Sequence, residues 1–415
     1  MTDDARGANS RGGTITTKSL AEIAAIRTDW EELQSREPYP DINADIDRFV
    51  SVTKSMEEAK RPHVVLVRQD GRPKAMLIGR VGVESRRISI GYKTLLRPSL
   101  NCLSIVHAGV LGQEDEDSTR ALLDEARAML ERREVEAVSF NHLACGSRMY
   151  EALKEIPGMV RGGSFSGAEA HWVMEVPESM DAFYKSQSGR TRQSLRYDSR
   201  LMEKEFPGQV EYVQYSGGED LAAMLDDVTR ILPKTYQHGM GVGFADSPGE
   251  RARLEDAARL GWLKVHVLRA AGVPRAFEMT FEYRGTCFIW ARGYDAELGR
   301  LSPGKALLLR VIEHLTNTRS VERVDFGLGD ADYKRIFCKT HWTEANVDLF
   351  APAFKPLAVK ATRTLAGGLS GATKAVLARL GAARALKRRW RDGFRKSGAQ
   401  AAKSTSGKDG AETRE

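Results

Sequence analysis

The 415-residue sequence has no long apolar run, and nothing in it approaches the roughly 18 apolar residues of a spanning helix. A helical membrane protein is thereby excluded. Cysteine is scarce: Cys102, Cys145, Cys287 and Cys338 lie far apart. No pair has metal-ligand spacing, so no metal site is expected, and no disulfide framework is either. A reduced, cytoplasmic setting is the simplest reading. The N-terminus is polar up to about Thr14 and offers no apolar core for a signal peptide. Acids nearly vanish between Phe354 and Lys396, where twelve Lys/Arg accompany one acid, Asp392. Residues 397–415 balance at zero. With +7 overall, the body from Met1 to Ala353 stands at −4. A mildly acidic body with a basic tail is not the footprint of a nucleic-acid-binding core.

What is present is a globular composition, 41% hydrophobic and 29% charged, in a chain long enough for two or three domains. Helical spacing of Leu20, Ile23, Ile26, Trp30 and Leu33 predicts a helix from Ser19 to about Ser35. Strands follow at His63–Val67, Lys74–Arg80 and Leu103–Leu111, the first two joined by the turn Gln69-Asp70-Gly71-Arg72. A helix is expected over Ser118–Arg133 and a strand over Val135–Phe140.

A second cycle repeats this order. It has a strand at His171–Val176, a basic helix over Met180–Phe206, a strand at Gln209–Tyr215 and a helix from Asp220 to about Lys234. A Gly-rich loop at His238–Gly243 precedes a helix at Glu250–Leu260. Three strands, Trp262–Ala270, Val273–Tyr283 and Thr286–Tyr294, are joined by the turns Ala271-Gly272 and Arg284-Gly285. A helix at Pro303–Thr318 and strands at Val321–Phe326 and Asn346–Phe350 complete it. Two cycles in one order predict an internally duplicated α+β fold with mixed, mostly antiparallel sheets flanked by helices. Beyond Pro352, an Ala-rich basic stretch predicts one or two amphipathic helices, broken near Gly367-Gly368.

Chemistry concentrates between Phe281 and Lys339. Ser302 suits a helix N-cap, Pro303 the first helical position, and Gly304 a close backbone approach. Lys305 adds positive charge at an end that is already electropositive. The competing reading is an ordinary Ser-Pro helix start. Next, Val324-Asp325-Phe326-Gly327-Leu328-Gly329-Asp330 reads as a strand entering a Gly-rich turn, followed by Tyr333-Lys334. Asp325 alternates with apolar neighbours and so points into a cleft; a solvated acid beside a turn is the plainer alternative.

Gly-Tyr-Asp at 293–295, Ser-Pro-Gly at 302–304 and Asp-Phe-Gly-x-Gly-Asp-x-x-Tyr-Lys at 325–334 resemble the CelD-like branch of the GNAT N-acyltransferases. The resemblance is good over Leu260–Phe350 and weaker back to Ser164. It implies two GNAT-like domains of the Fem kind and acyl transfer from a thioester to an amine. Residues 1–14 read as disordered from their polar composition, with 15–163 an N-terminal GNAT-like domain and 164–352 the C-terminal acetyltransferase domain. Residues 353–396 form a basic amphipathic tail and 397–415 a disordered end.

The donor implied is acyl-CoA, acetyl-CoA above all, with no metal. Carried over, the pantetheine lies along the strand at Ile289, Trp290, Ala291 and Arg292. The pyrophosphate sits on Ser302, Pro303, Gly304 and Lys305. The phosphate loop departs from the family's usual Arg/Gln- and Gly-rich form, which leaves an acyl-tRNA donor open.

Amine attack on a thioester needs a general base and a proton for the leaving thiolate. Glu278, in the largely apolar run Ala276–Phe281, is the first candidate for the base; Asp325, Asp330 and Tyr333 are the others. Tyr333 or Tyr294 is the candidate acid. His238, Tyr294 and Lys334 are candidate acceptor contacts. His107 and His142 read as structural, and Cys338 lacks a partner at nucleophile spacing. Arg190, Arg192, Arg196, Arg200 and Lys204 share a helix, either as a solvated face or as a guide for a polyanion.

The expected acceptor is an amine-bearing small molecule or glycan precursor, in exopolysaccharide or envelope synthesis. The basic tail is suited to an anionic membrane surface. A non-catalytic accessory protein of polysaccharide assembly and a Fem-like transferase using charged tRNA remain as alternatives.

Overall fold

The computed structural model describes residues 13–56, 59–90, 93–112, 115–158, 163–235 and 244–379. The expectations for residues 1–12, for the loop at His238 and for the chain beyond 379 lie outside them. The strands in chain order are β1 (Gly13–Thr17), β2 (Lys60–Gln69), β3 (Arg72–Ser85), β4 (Ile88–Ile90), β5 (Lys93–Leu96), β6 (Ser99–Leu111), β7 (Ala137–Ala144), β8 (Ser164–Glu175), β9 (Val210–Ser216), β10 (Leu263–Ala270), β11 (Val273–Tyr283), β12 (Thr286–Tyr294), β13 (Arg323–Leu328) and β14 (Thr340–Phe350). They build two compact units, one within Met1–Ala170 and Trp342–Thr373, the other on His171–His341.

Alternation along β2 and β3 builds the first unit's two cores. Val64, Leu66, Met76 and Ile78 pack with Ile23, Trp30, Leu33 and Phe49 of the N-terminal helices. Val65, Val67, Ala75 and Leu77 pack on the other face with Leu122, Ala126 and Met129. Both faces are covered, so these strands read as continuous apolar runs. The spatial order is β1-β2-β3-β6-β7-β14, with only β6 and β7 parallel. β14 pairs with β7, so the last strand of the expected second domain belongs here. It is also longer than the expected Asn346–Phe350.

A buried polar network fastens the helix Phe354–Arg379 to this unit. Asp348 accepts from Ser139 Oγ at 2.5 Å and from Arg363 Nη1 at 2.6 Å, and Arg86 Nη1 lies 3.5 Å away. Val359 and Ala366 of the helix pack with Leu100, Cys102 and Phe350. The expected break at Gly367-Gly368 is absent: the helix runs through both. Among the described residues, no helix is long and apolar enough to cross a membrane.

The second unit repeats the pairing pattern in the order β9-β10-β11-β12-β13-β8, again with one parallel pair, β12 and β13. The tight turns at Ala271-Gly272 and Arg284-Gly285 leave β11 and β12 as the sequence predicts. β11 sends Phe277, Met279 and Phe281 to one face and Ala276, Glu278 and Thr280 to the other. The helix Pro303–Thr318 covers the Glu278 face, since His266, the register partner of Glu278, meets His314 ring to ring at 5.8 Å. The opposite face is closed tightly. A Cβ at Gly293 would stand 2.6 Å from the Phe277 ring and 2.7 Å from Thr235, so only glycine fits.

Two expected helices are divided. Met180–Phe206 forms Met180–Lys185, Gly189–Asp198 and Leu201–Glu205, because Ser188 caps a new start by accepting from the Thr191 N–H at 3.2 Å. Ser19–Ser35 forms Leu20–Ala25 and Arg27–Arg36, with buried Ile26 leaving helical geometry between them.

Candidate active site

Strands β12 and β13 stay parallel for three pairs only: Thr286 with Arg323, Cys287 with Val324 and Phe288 with Asp325. Beyond Phe288 they part. Each strand carries an irregularity at this point. Trp290 is the extra residue of β12 against β11, and Phe326 that of β13 against β8. A bulge bends its strand and increases the local twist, which turns the two strands away from each other. The β13-facing backbone groups of Ile289, Trp290, Ala291 and Arg292 therefore border a cleft rather than a ladder. These are the four residues expected along a pantetheine arm.

Glu278 lies beside this cleft on β11, in register with Arg292. It is 1% exposed, and Arg292 Nη2 stands 3.2 Å from its Oε2. Its other oxygen, Oε1, is buried without a hydrogen-bond partner. Burial pushes the Glu278 carboxyl up to about 7, against the pull of Arg292. Arg292 is itself fixed on three sides. It pairs with Glu278, donates to Gly304 O at 3.2 Å and lies 4.6 Å over the Tyr333 ring. The sequence expectation for Glu278 thus meets a carboxyl that changes charge near neutral pH, and Arg292 and Tyr333 join it.

Asp325 is buried at the vertex of the splay. His171 Nε2 lies 2.9 Å from both its oxygens, and the Gly327 N–H donates to Oδ1 at 2.6 Å. Asp325 therefore does not point into open cleft. It orients the buried His171, which sequence reasoning passed over. A histidine opening the apolar run His171–Met174 was the available signal, but its partner lies 154 positions away.

The helix start departs from expectation. Ser302 is the N-cap position, but in the left-handed region (φ 52°) and with no side-chain cap bond. Pro303 carries no N–H, and the N–H groups of Lys305 and Ala306 both donate to Ser302 O. Lys305 Nζ binds Asp198 Oδ2 at 2.5 Å, and Ser302 Oγ lies 3.5 Å from Oδ1. An anion placed here would share the site with the Asp198 carboxylate. A Cβ on Gly304 would meet Tyr294 Cδ1 at 3.0 Å, so the glycine makes room for the Tyr294 ring.

The remaining candidates separate. Asp330 is exposed and pairs with Arg335, whose Nε lies 2.8 Å from Oδ1. Lys334 is buried, and its ammonium donates to Gly327 O at 3.0 Å and Leu328 O at 2.6 Å. It supports the Gly-rich turn that positions Asp325, in place of the expected substrate contact. Lys334→Met is expected to cost about 2 kcal/mol by removing these charged hydrogen bonds. A denaturant midpoint with unchanged slope reads it. Burial pushes the Cys338 thiol up to about 12, which removes it as a nucleophile at neutral pH.

Residues 189–335 match the family described as the acetyltransferase (GNAT) domain. The chain is also similar to the crystal structure of FemX, with a TM-score of 0.53 at 10% identity, covering 78% of this chain and 96% of that one. It is similar to the C-terminal domain of a putative lysylphosphatidylglycerol synthetase from Agrobacterium fabrum, with a TM-score of 0.47 at 12% identity, covering 81% and 95%. A tandem GNAT protein from the clavulanic acid biosynthesis pathway gives 0.46 at 12%, covering 82% and 99%. No curated protein matches the chain. At 10% identity the FemX likeness speaks to the fold alone. Together with the family match, it makes this a mixed α/β, GNAT-like fold whose matched domain supports a transferase.

Proposed function

We propose that the GNAT-type domain transfers an acyl group, acetyl first among candidates, from a CoA thioester to an amine. The observation that carries this is the parting of β12 from β13 beside the buried Glu278–Arg292 pair. The thioester arm lies along Ile289–Arg292. A neutral amine attacks the thioester carbonyl carbon, the C–N bond forms and the C–S bond breaks. Glu278 takes the amine proton through a water, because its own oxygens are buried. The leaving thiolate takes a proton from Tyr333 or Tyr294. A carboxyl titrating near the working pH is well matched to this task. The acceptor is a small amine or glycan precursor, as the CelD-like resemblance suggests, with a role in exopolysaccharide or envelope synthesis.

The helix start at Ser302 favours a second reading, a charged tRNA as donor. Only the Gly304 N–H of that turn is left for an anion, and Asp198 stands beside it. Thermal unfolding with acetyl-CoA, longer acyl-CoAs and charged tRNA separates the readings. Saturation at about 100 times Kd stabilises the native state by roughly 2.7 kcal/mol. An upward shift with an acyl-CoA is expected. A salt-sensitive shift with charged tRNA alone would move the donor to the second reading. No shift with either would leave a non-catalytic accessory protein of polysaccharide assembly.

A further inference from the structure

The helices Gly189–Asp198 and Leu201–Glu205 line a groove of about 480 Å³. Its wall carries Arg192, Arg196, Arg200 and Lys204 at four-residue intervals, with Gln193 and Tyr197 between them. Four-residue spacing stacks side chains along one helical face. The break after Ser199 does not interrupt the row, because Arg200 keeps right-handed helical angles.

The acids of the same stretch are engaged elsewhere. Asp198 holds Lys305 at 2.5 Å, Glu203 accepts from the Gly208 N–H at 2.8 Å, and Glu205 holds Arg300 at 2.6 Å. Arg196 lies 5.1 Å over the Tyr184 ring, which aligns its guanidinium without neutralising it. Tyr197 is 63% exposed, an unusual position for a large ring. Like charges set side by side along a groove repel one another, and a solvated helix face ordinarily intersperses acids among its bases. Here the geometry removes each neighbouring acid from the row.

We propose that this groove binds the phosphate groups of the acceptor, so that the amine substrate is a phosphorylated molecule rather than a neutral one. The inference rests on the acyl-transfer reading and names its substrate class. Guanidinium groups present forked donors that match phosphate oxygens, and three of the four cations are arginine. The body carries −4 outside the basic tail, so the row is a local positive patch on a mildly acidic body. A short anionic ligand fits that distribution, and a long nucleic acid does not. The groove is also tied to the reaction centre. Asp198, on the groove helix, holds Lys305 and contacts Ser302. Gly304, immediately before Lys305, accepts from Arg292, which holds Glu278. Arg196 and Arg200 thus belong to the helical stretch that Asp198 ties to this helix start, and a phosphate seated on them would hold an acceptor on that stretch.

Titration calorimetry with inorganic pyrophosphate on the full chain tests this, comparing wild type with Arg196→Ala/Arg200→Ala and with Arg196→Lys/Arg200→Lys. The expected result is saturable binding that weakens at least tenfold in the alanine variant and recovers partly in the lysine variant. The melting temperature and the acetyl-CoA response should be unchanged. Vesicles containing phosphatidylethanolamine and a soluble amino-sugar phosphate, each competed by pyrophosphate, tell a lipid headgroup from a free phosphate ester. Equal pyrophosphate binding by wild type and the alanine variant would overturn the proposal. So would single-stranded RNA that binds more tightly than either phosphate source and loses affinity in the alanine variant. Loss of the acetyl-CoA response in wild type would instead strike the acyl-CoA reading, whatever pyrophosphate does.

Discussion

Glu278→Gln is expected to lower kcat by about 10²- to 10⁴-fold, the usual contribution of a positioned general base. The substitution keeps the shape of the side chain and removes its proton affinity. In the wild type, kcat/KM should rise with pH through about 7, where the buried carboxyl ionises. In the variant this rise should disappear. A variant with the wild-type pH profile would remove Glu278 from the proton path.

The same group leaves a mark on stability. Its pKa is raised from 4.5 unfolded to about 7 folded, so the folded state binds more protons between these values. The resulting stability is fully present below pH 4.5 and is lost as pH rises through about 7. The upper bound is about 3 kcal/mol, at roughly 1.4 kcal/mol per pH unit of difference. Denaturant unfolding of wild type and Glu278→Gln at pH 5 and pH 8 should show the wild type losing ground to the variant by up to that amount. A gap that does not change with pH would contradict a buried, titrating Glu278.

Asp348→Ala is expected to destabilise the first unit by about 2–3 kcal/mol, the cost of removing charged hydrogen bonds from a buried network. Asp348 is 3% exposed and is the meeting point of Ser139, Arg86 and Arg363. Its loss leaves Arg86, whose side chain is only 15% exposed, with Glu84 at 3.2 Å as its remaining carboxylate, and frees Arg363 of the C-terminal helix. Arg363→Ala should cost less, since that side chain is nearer to solvent and Asp348 keeps its other partners. Unfolding followed by tryptophan fluorescence, with Trp30 buried in this unit, reads both variants. A loss below about 1 kcal/mol for Asp348→Ala would mean that water reaches the network and repays the lost contacts.

These residues also mark how far the sequence could be read. Glu278 was accessible from sequence because a carboxylate within Ala276–Phe281 breaks an apolar run. Arg292 fell in the strand assigned to the donor arm. Neither position revealed that they pair across a ladder, nor that burial carries Glu278 toward neutrality. Lys334 and Asp330 look equally available as residues of one Gly-rich turn. In the fold one is buried under the turn's carbonyls and the other is spent on Arg335.

Features under short-range control are legible in the chain. Alternation and the two Gly turns define β10, β11 and β12, and Pro303 marks a helix start at its own position. Two cycles of elements in one order imply the repeated pairing pattern. The tertiary structure alone decided which distant groups share a buried space: His171 with Asp325, Asp198 with Lys305, Asp348 with Arg86 and Arg363. It also decided that β14 pairs with β7 in the first unit. Turn chemistry and periodicity act over a few residues and are written locally. Partner choice among buried charges depends on desolvation, which exists only after the chain has enclosed them.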